Sequence, residues 1–582
     1  MNLPTRRTII MLVVFAGCLG AVSILLLSYT ESVNDLLGLQ VSTLKWRLVG
    51  FSLLIFAFLT LVFRKLLAAS LNFITAKTGH DARFLLRDSR AAVHAEQKAV
   101  LVAVLLVTLI GTALRLHFLT QPLRFDEALT VQDFASRSLP YIATYYTQPN
   151  NHVFHSLLVH FALLLGNSEP IIRLPVFISG CVIIPAFFVF ARCFVALLPA
   201  LFGTALVAAA SPLVEFSTNA RGYMLQIMLF ICAFIFAHYG IQKRNFAAFI
   251  FCVVLSALGF YTIPTMLYPF GVLSLWMLIA SWRQQHRNAA LRYWLLLNFV
   301  TIGLTALLYF PIILVSGLGP LLNNPFVRSQ SLTEFGAQVV PFLRNLWEYW
   351  MRDLPALLSI GSISILVAGL ILRRTKAYLP NPLWAALLWS GGLLLVQRAV
   401  PFMRVWLYFI PLLALGIGIG ADQLGLLLAK HGPWGRIVAK RGLILGMMVV
   451  LAALLSLDVA AQNTVALSQE TGLVLYARDT AALLAPILRP DDGVLDRWDA
   501  VTRYYLKRDY AVPTNVVTSG NNLNTRNRIY ILLEPENQLA TLMGDAQQRG
   551  TNWSLFTPPQ IWQVTPALTI YIVDNTVKET QK

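Results

Sequence analysis

Charge is scarce in this chain. Only 12% of its 582 residues are Asp, Glu, Lys or Arg, and acids are the scarcer half, 27 against 45 bases. A typical soluble domain carries about a quarter of its residues charged, so this scarcity excludes an ordinary water-soluble enzyme. Cysteine is rare too. Cys18, Cys181, Cys193, Cys232 and Cys252 lie in or at the ends of apolar runs, with no disulfide framework or zinc-site spacing. They read as small core residues. Internal repeats and low-complexity tracts are absent. The net charge of +18 does not point to nucleic acid, because the bases sit in short gaps between apolar runs rather than in one patch.

What fills the chain instead is apolar, 57% of all residues. The clearest runs are 8–29, 47–69, 98–118, 170–191, 194–211, 220–241, 245–261, 262–281, 293–316, 357–373, 382–397, 404–427 and 441–459. Each is near the length of about 20 residues that crosses a bilayer as a helix, giving about thirteen expected spans. The first run follows Arg6 and Arg7 and is too long for the apolar part of a signal peptide, so it reads as a retained helix.

One further apolar stretch, 152–165, is short and carries His152, His155 and His160. Charge parity decides its path. With Arg6 and Arg7 inside, the basic gap 70–97 is also inside. The loops 242–244, 283–292, 373–376 and 430–441 are all basic, and they fall inside only if 152–165 does not cross. The stretch is therefore expected to lie along the outer interface as an amphipathic or re-entrant helix. The same parity places 119–169, 317–356 and everything after about 460 on the outer face. The second of these has an amphipathic pattern over 333–351.

Beyond 460 the composition shifts. Apolar runs shrink to strand length at 493–495, 528–533 and 568–573, with helical patterns at 498–507 and 537–549 and turn residues at 519–522. The expected architecture is a mostly α, polytopic membrane protein with a small C-terminal α/β extramembrane domain. Its parts are two N-terminal spans with a basic loop (1–97), a membrane core (98–459) and an outer domain (460–582).

Arg124-Phe125-Asp126-Glu127 directly follows the 98–118 run. Acids at a helix N-terminus can simply answer the helix dipole. An adjacent pair beside a membrane span, facing other polar clusters, points further, to function. Thr147 to His152 is polar and leads into the interfacial stretch. One asparagine there could cap a helix, but Asn150, Asn151 and His152 together exceed what a cap needs. A three-histidine zinc site is not expected, because the histidines would also need a coherent face and no carboxylate ligand sits nearby in sequence. Arg173, Arg221, Arg398 and Arg404 stand at outer helix ends, against the positive-inside trend. Arg173 needs a partner, either Glu169 or an anion. Arginines so placed suit an anionic lipid head group, because the guanidinium presents a fixed donor fork.

The order of these motifs resembles the integral-membrane GT-C glycosyltransferases. The matching residues are Asp126-Glu127 in the first outer loop, the Pro149 to His152 entry to an interfacial helix, Glu169 to Pro175, and Ala220-Arg221-Gly222-Tyr223. The nearest group is the protein O-mannosyltransferases with the bacterial lipid A aminoarabinose and galacturonosyl transferases, over roughly 98–425. The resemblance implies a GT-C-like core in a bacterial cytoplasmic membrane. It implies an outward-facing site, a polyprenyl-phosphate sugar donor, inversion at the sugar carbon, and a lipid, glycan or protein acceptor. Carried over, Asp126 is the acid at the acceptor and Glu127 its neighbour. Arg221 and Arg404 face the donor phosphate, with Arg124, Asn151, His152, Arg173 and Tyr223 as further substrate-binding candidates. A divalent metal beside Asp126 and Glu127 stays open, with no ligand set assigned and no cofactor required. Two features depart from the pattern: the spans before residue 98, and Asn150-Asn151-His152 in place of the usual His/Lys-Pro-Pro element. A polytopic transporter or flippase is the rival class, and it predicts inverted repeats and mid-membrane charges. A non-catalytic scaffold would tolerate loss of Asp126.

Overall fold

The computed structural model describes residues 6–284, 286–323, 327–371, 380–428, 441–521 and 523–579. The basic segments 373–376 and 430–440 lie outside the described residues.

Lipid offers no hydrogen-bond partners, so an apolar run there must satisfy its own backbone, and the helix does this within one segment. Every one of the thirteen expected runs carries a helix. Among the described residues eight helices are long and apolar enough to cross, and a ninth arises if the bent pair Leu197–Ala209 and Ser211–Ser217 is one span. Phe246–Thr262, Ala356–Ala368, Pro382–Gln397 and Phe409–Gly425 are shorter apolar helices. The chain is a multi-pass membrane protein.

The bend of 57° at Ala210 has a chemical cause. Pro212 has no N–H to donate to the carbonyl of Ala208, four residues back. That carbonyl accepts instead from Arg115 Nη1 at 2.9 Å, and Arg115 Nε donates to Ser217 Oγ at 3.0 Å. A fully buried guanidinium thus bridges the two halves of the break. Arg115→Leu should leave these acceptors bare, at about 1–3 kcal/mol each. The expected outcome is a lowered melting temperature in detergent that Arg115→Lys does not restore; an unchanged melt would contradict the bridge.

Helix-end contacts bear on the path of 152–165. Arg192, at the end of Leu174–Arg192, pairs with Glu96 at 3.2 Å, just before Lys98–Phe118 begins. Asp88 accepts from Tyr239, and Asp81 accepts from the amide of Phe246. The end of the 174–192 helix thus meets the start of the 98–118 helix, the arrangement expected if 152–165 does not cross. The intervening helix Val153–Ala162 is only ten residues long. The amphipathic stretch of the 317–356 loop forms Leu332–Trp350, started by a capping box in which Ser331 Oγ and Glu334 satisfy each other's amides.

The C-terminal part holds a five-stranded sheet in the order β2-β1-β3-β5-β4. Its strands are β1 (Gly493–Leu495), β2 (Val517–Thr518), β3 (Arg528–Leu533), β4 (Gln560–Val564) and β5 (Thr569–Asp574). β1 runs parallel to β2 and β3; β5 is antiparallel to β3 and β4. Helices Asp499–Tyr510 and Leu539–Gln548 match the expected patterns. This part is not a free appendage. Val474, Ala477, Val501 and Tyr505 share one buried apolar cluster with Leu123, Ala128, Val159 and Ala220 of the membrane core. Glu169 then pairs with Arg478 and Arg508, each at 3.0 Å, and accepts from Tyr505.

Candidate active site

Asp126 lies in the first turn of the short helix Phe125–Leu129, whose leading amides need acceptors. The strap after the last span supplies them. Phe125 N donates to Gly472 O at 2.8 Å, and Asp126 N donates to Thr471 O at 3.2 Å. Gly472 has φ +75°, and a Cβ there would stand 2.7 Å from that of Phe125, so both backbone shape and closeness require glycine. The strap is pinned further upstream. Arg124 donates to the carbonyls of Ser468 and Val465, while Ser468 Oγ donates to Glu215 at 2.8 Å. Glu215 itself holds Arg352 at 2.7 Å.

The two adjacent acids have different surroundings. Glu127 is fully buried. Its carboxylate accepts from Arg173 Nε at 2.8 Å and Nη2 at 2.7 Å, from the amide of Ala220 at 2.6 Å, and from that of Arg124 at 2.9 Å. Burial alone would raise its pKa, but the Arg173 guanidinium and these donors hold it below the usual carboxylate range. Arg173 spends its remaining N–H groups on the carbonyls of Leu119, Gln121 and Pro122. Its carboxylate partner is thus Glu127, in neither of the ways expected for it, Glu169 or a bound anion. With its oxygens so occupied, Glu127 faces no open space in which to ligate a metal. Among the described residues no group of three or more His, Cys, Asp and Glu could hold one.

Asp126 is one-fifth exposed and faces two other arginines. Its Oδ2 lies 3.9 Å from Arg221 Nε and 3.7 Å from Arg404 Nη2, ion-pair distances longer than hydrogen bonds. Arg221 Nε is buried and has no hydrogen-bond partner among the described residues. Its Nη1 is fixed by Thr130 Oγ1 and Asn150 O, both at 2.9 Å. Thr130 in turn donates to Asp126 O, at the start of a π-helical turn over Thr130–Ala135. Arg404 Nε donates to Tyr223 Oη at 3.1 Å.

His152 completes this group. Burial, with the Arg221 guanidinium next, pushes its pKa well below the ordinary histidine value, so the ring is neutral and carries one N–H. Nδ1 accepts from Gly222 N at 2.9 Å, which places the proton on Nε2. That N–H lies 3.1 Å from Arg221 Nη2, itself a donor. Two donors face each other, an arrangement that an anion accepting from both would resolve.

Of the sequence candidates, Asp126, His152, Arg221, Tyr223 and Arg404 come together. Arg124, Glu127 and Arg173 support the loop from behind. Asn151 does likewise, donating to Ile142 and Tyr145 carbonyls and accepting from Ser156. His160 sits instead against Ala135 O. The sequence reading missed Glu470, whose carboxylate stands 3.7 Å from Arg404 Nη1. A single acid just past the last span was its only signal. It also missed Arg352 and Ser468.

No family model matches the chain, and no curated protein matches it. Among solved structures it is similar to ArnT from Cupriavidus metallidurans in the apo state, at 16% identity and a TM-score of 0.52, covering 82% of this chain and 98% of that one. It is also similar to the same protein bound to undecaprenyl phosphate, at 16% identity, a TM-score of 0.49 and the same coverage. A third is the oligosaccharyltransferase AglB from Archaeoglobus fulgidus in complex with an inhibitory peptide and a dolichol-phosphate, at 12% identity, a TM-score of 0.47, and 81% and 74% coverage. The first likeness shows the fold. The chain has the GT-C architecture expected of it, a multi-helix membrane core with a small C-terminal sheet.

Proposed function

We propose that the chain is a membrane glycosyltransferase that moves a sugar from a polyprenyl-phosphate donor to a lipid, glycan or protein hydroxyl. The observation that carries this reading is the buried Arg221 Nε–H, without a hydrogen-bond partner among the described residues, beside the partly open carboxylate of Asp126. Arg221, Arg404 and the His152 Nε2–H form a donor set for one anion. Asp126 is an acceptor for one proton. A phosphate leaving group and a hydroxyl nucleophile need both.

In the step proposed, the acceptor oxygen bonds to the sugar carbon as the bond from that carbon to phosphate oxygen breaks. The hydroxyl proton passes to Asp126, and the electron pair leaves with the lipid phosphate. A single displacement of this kind inverts the sugar carbon. The arginines stabilise charge that grows on the phosphate as the bond breaks, which is where fixed donors act most strongly. ArnT, whose fold this chain shares, has been seen bound to undecaprenyl phosphate, which suits the same lipid class here. The site is assigned to the outer, periplasmic face of a bacterial inner membrane, following the basic loops of the other side. Arg173 and Glu127 are given the role of fixing the loop that presents Asp126.

The test supplies membranes with a radiolabelled polyprenyl-phosphate sugar. Wild type should transfer label to lipid, glycan or protein. Arg221→Ala and Arg404→Ala should each lower transfer about a hundredfold or more. Absence of transfer by the wild type, or full transfer by both variants, would refute the reading. A transporter would instead move the intact lipid without breaking the sugar bond.

A further inference from the structure

We propose that Glu470 is a built-in stand-in for the donor phosphate: it occupies Arg404 while the site is empty, yields to the incoming lipid phosphate, and returns to help release the product. This rests on Arg404 being a ligand of that phosphate.

The occupancy of Arg404 gives the reason. Its Nε is taken by Tyr223, its Nη2 faces Asp126 and its Nη1 faces Glu470. A lipid-linked sugar phosphate that reaches Arg404 must displace one of the two carboxylates. Asp126 is the more firmly held, because its carboxylate pairs with Arg221 and Arg404 together, whereas, among the described residues, that of Glu470 pairs with Arg404 alone. Glu470 yields. Among the described residues its carboxylate makes one contact, the ion pair at 3.7 Å, which is longer than a hydrogen bond, and the side chain is one-fifth exposed.

The backbone around it is fixed on either side. Ser468 is tied to Glu215 and Arg124, while Thr471 and Gly472 accept from Asp126 and Phe125 and Thr471 also accepts from Asn219. Glu470 O accepts from Arg404 as well. The arginine is thus held by the strap's main chain even when the carboxylate swings off it. A side-chain rotation suffices, with no opening of the strap.

Transfer leaves a phosphate monoester, which carries more negative charge than the diester that entered. It would bind the arginines more tightly than the donor did. A carboxylate returning to Arg404 opposes that retention. Glu470 is therefore a positioning residue that sets donor affinity and product release; it touches no reacting atom.

The test measures binding of undecaprenyl phosphate to the full-length protein in nanodiscs, for wild type, Glu470→Gln, Glu470→Asp and Arg404→Ala. Glu470→Gln should bind about three- to tenfold more tightly, from removal of one competing charge at ion-pair distance. Its turnover should not rise with that affinity. Glu470→Asp should stay close to wild type, and Arg404→Ala should bind more weakly. Wild-type affinity, or weaker, in Glu470→Gln would overturn this proposal alone. Equal binding by wild type and Arg404→Ala, or none by wild type, would overturn the phosphate reading beneath it as well.

Discussion

Asp126→Asn is expected to lower sugar transfer by about a hundred- to ten-thousandfold while leaving the fold and donor binding in place. Asparagine has nearly the same shape, and among the described residues no hydrogen bond of the Asp126 side chain is lost, since both arginines stand at ion-pair distance from it. What disappears is the group that can take a proton. Removal of the negative charge should, if anything, favour a phosphate on Arg221 and Arg404. The useful measurement is therefore a split one: transfer rate against affinity for undecaprenyl phosphate. A rate that falls in step with affinity would make Asp126 a binding residue only, and a rate near wild type would remove it from the chemistry.

The neighbouring substitution, Glu127→Gln, should fail in the other direction. It leaves the Arg173 guanidinium charged, fully buried and without its counter-ion. Breaking a buried pair in this way costs about 3–5 kcal/mol, enough to unfold a marginal protein. The expected result is low yield and a large drop in melting temperature, with activity lost because the protein is lost. The pH dependence follows with a definite sign. The folded pKa of Glu127 is depressed, so its contribution is present above the unfolded carboxylate value, about 4.3, and is lost as pH falls through the lower folded value. A well-folded, inactive Glu127→Gln protein would instead place this acid in the reaction.

These two residues also mark how far the sequence could be read. The helices were legible because lipid imposes one rule on every apolar run. The longer strands at 528–533 and 568–573 were visible as apolar segments. β2 spans two residues, too few to read, and in β4 the apolar Ile561, Trp562 and Val564 do not alternate regularly with polar residues. In the site, residue type showed that Asp126 and Glu127 stood out but not which one faced open space. That depends on Arg173, some 46 positions away. Glu470 and Ser468 were invisible for a similar reason. A lone acid and a lone serine gain meaning only from what the fold sets beside them.

The strap that closes over Asp126 has a consequence for the order of synthesis. The carbonyls that cap the helix of Phe125 and Asp126 belong to residues made more than three hundred positions later. A nascent chain with most of its helices inserted would still lack the caps, the Glu215–Ser468 tie and one flank of Arg404. Premature stops and partly threaded chains would then be inert as well as incomplete. On the function proposed above, no half-built chain would act on lipid-linked sugars before the last segment had docked.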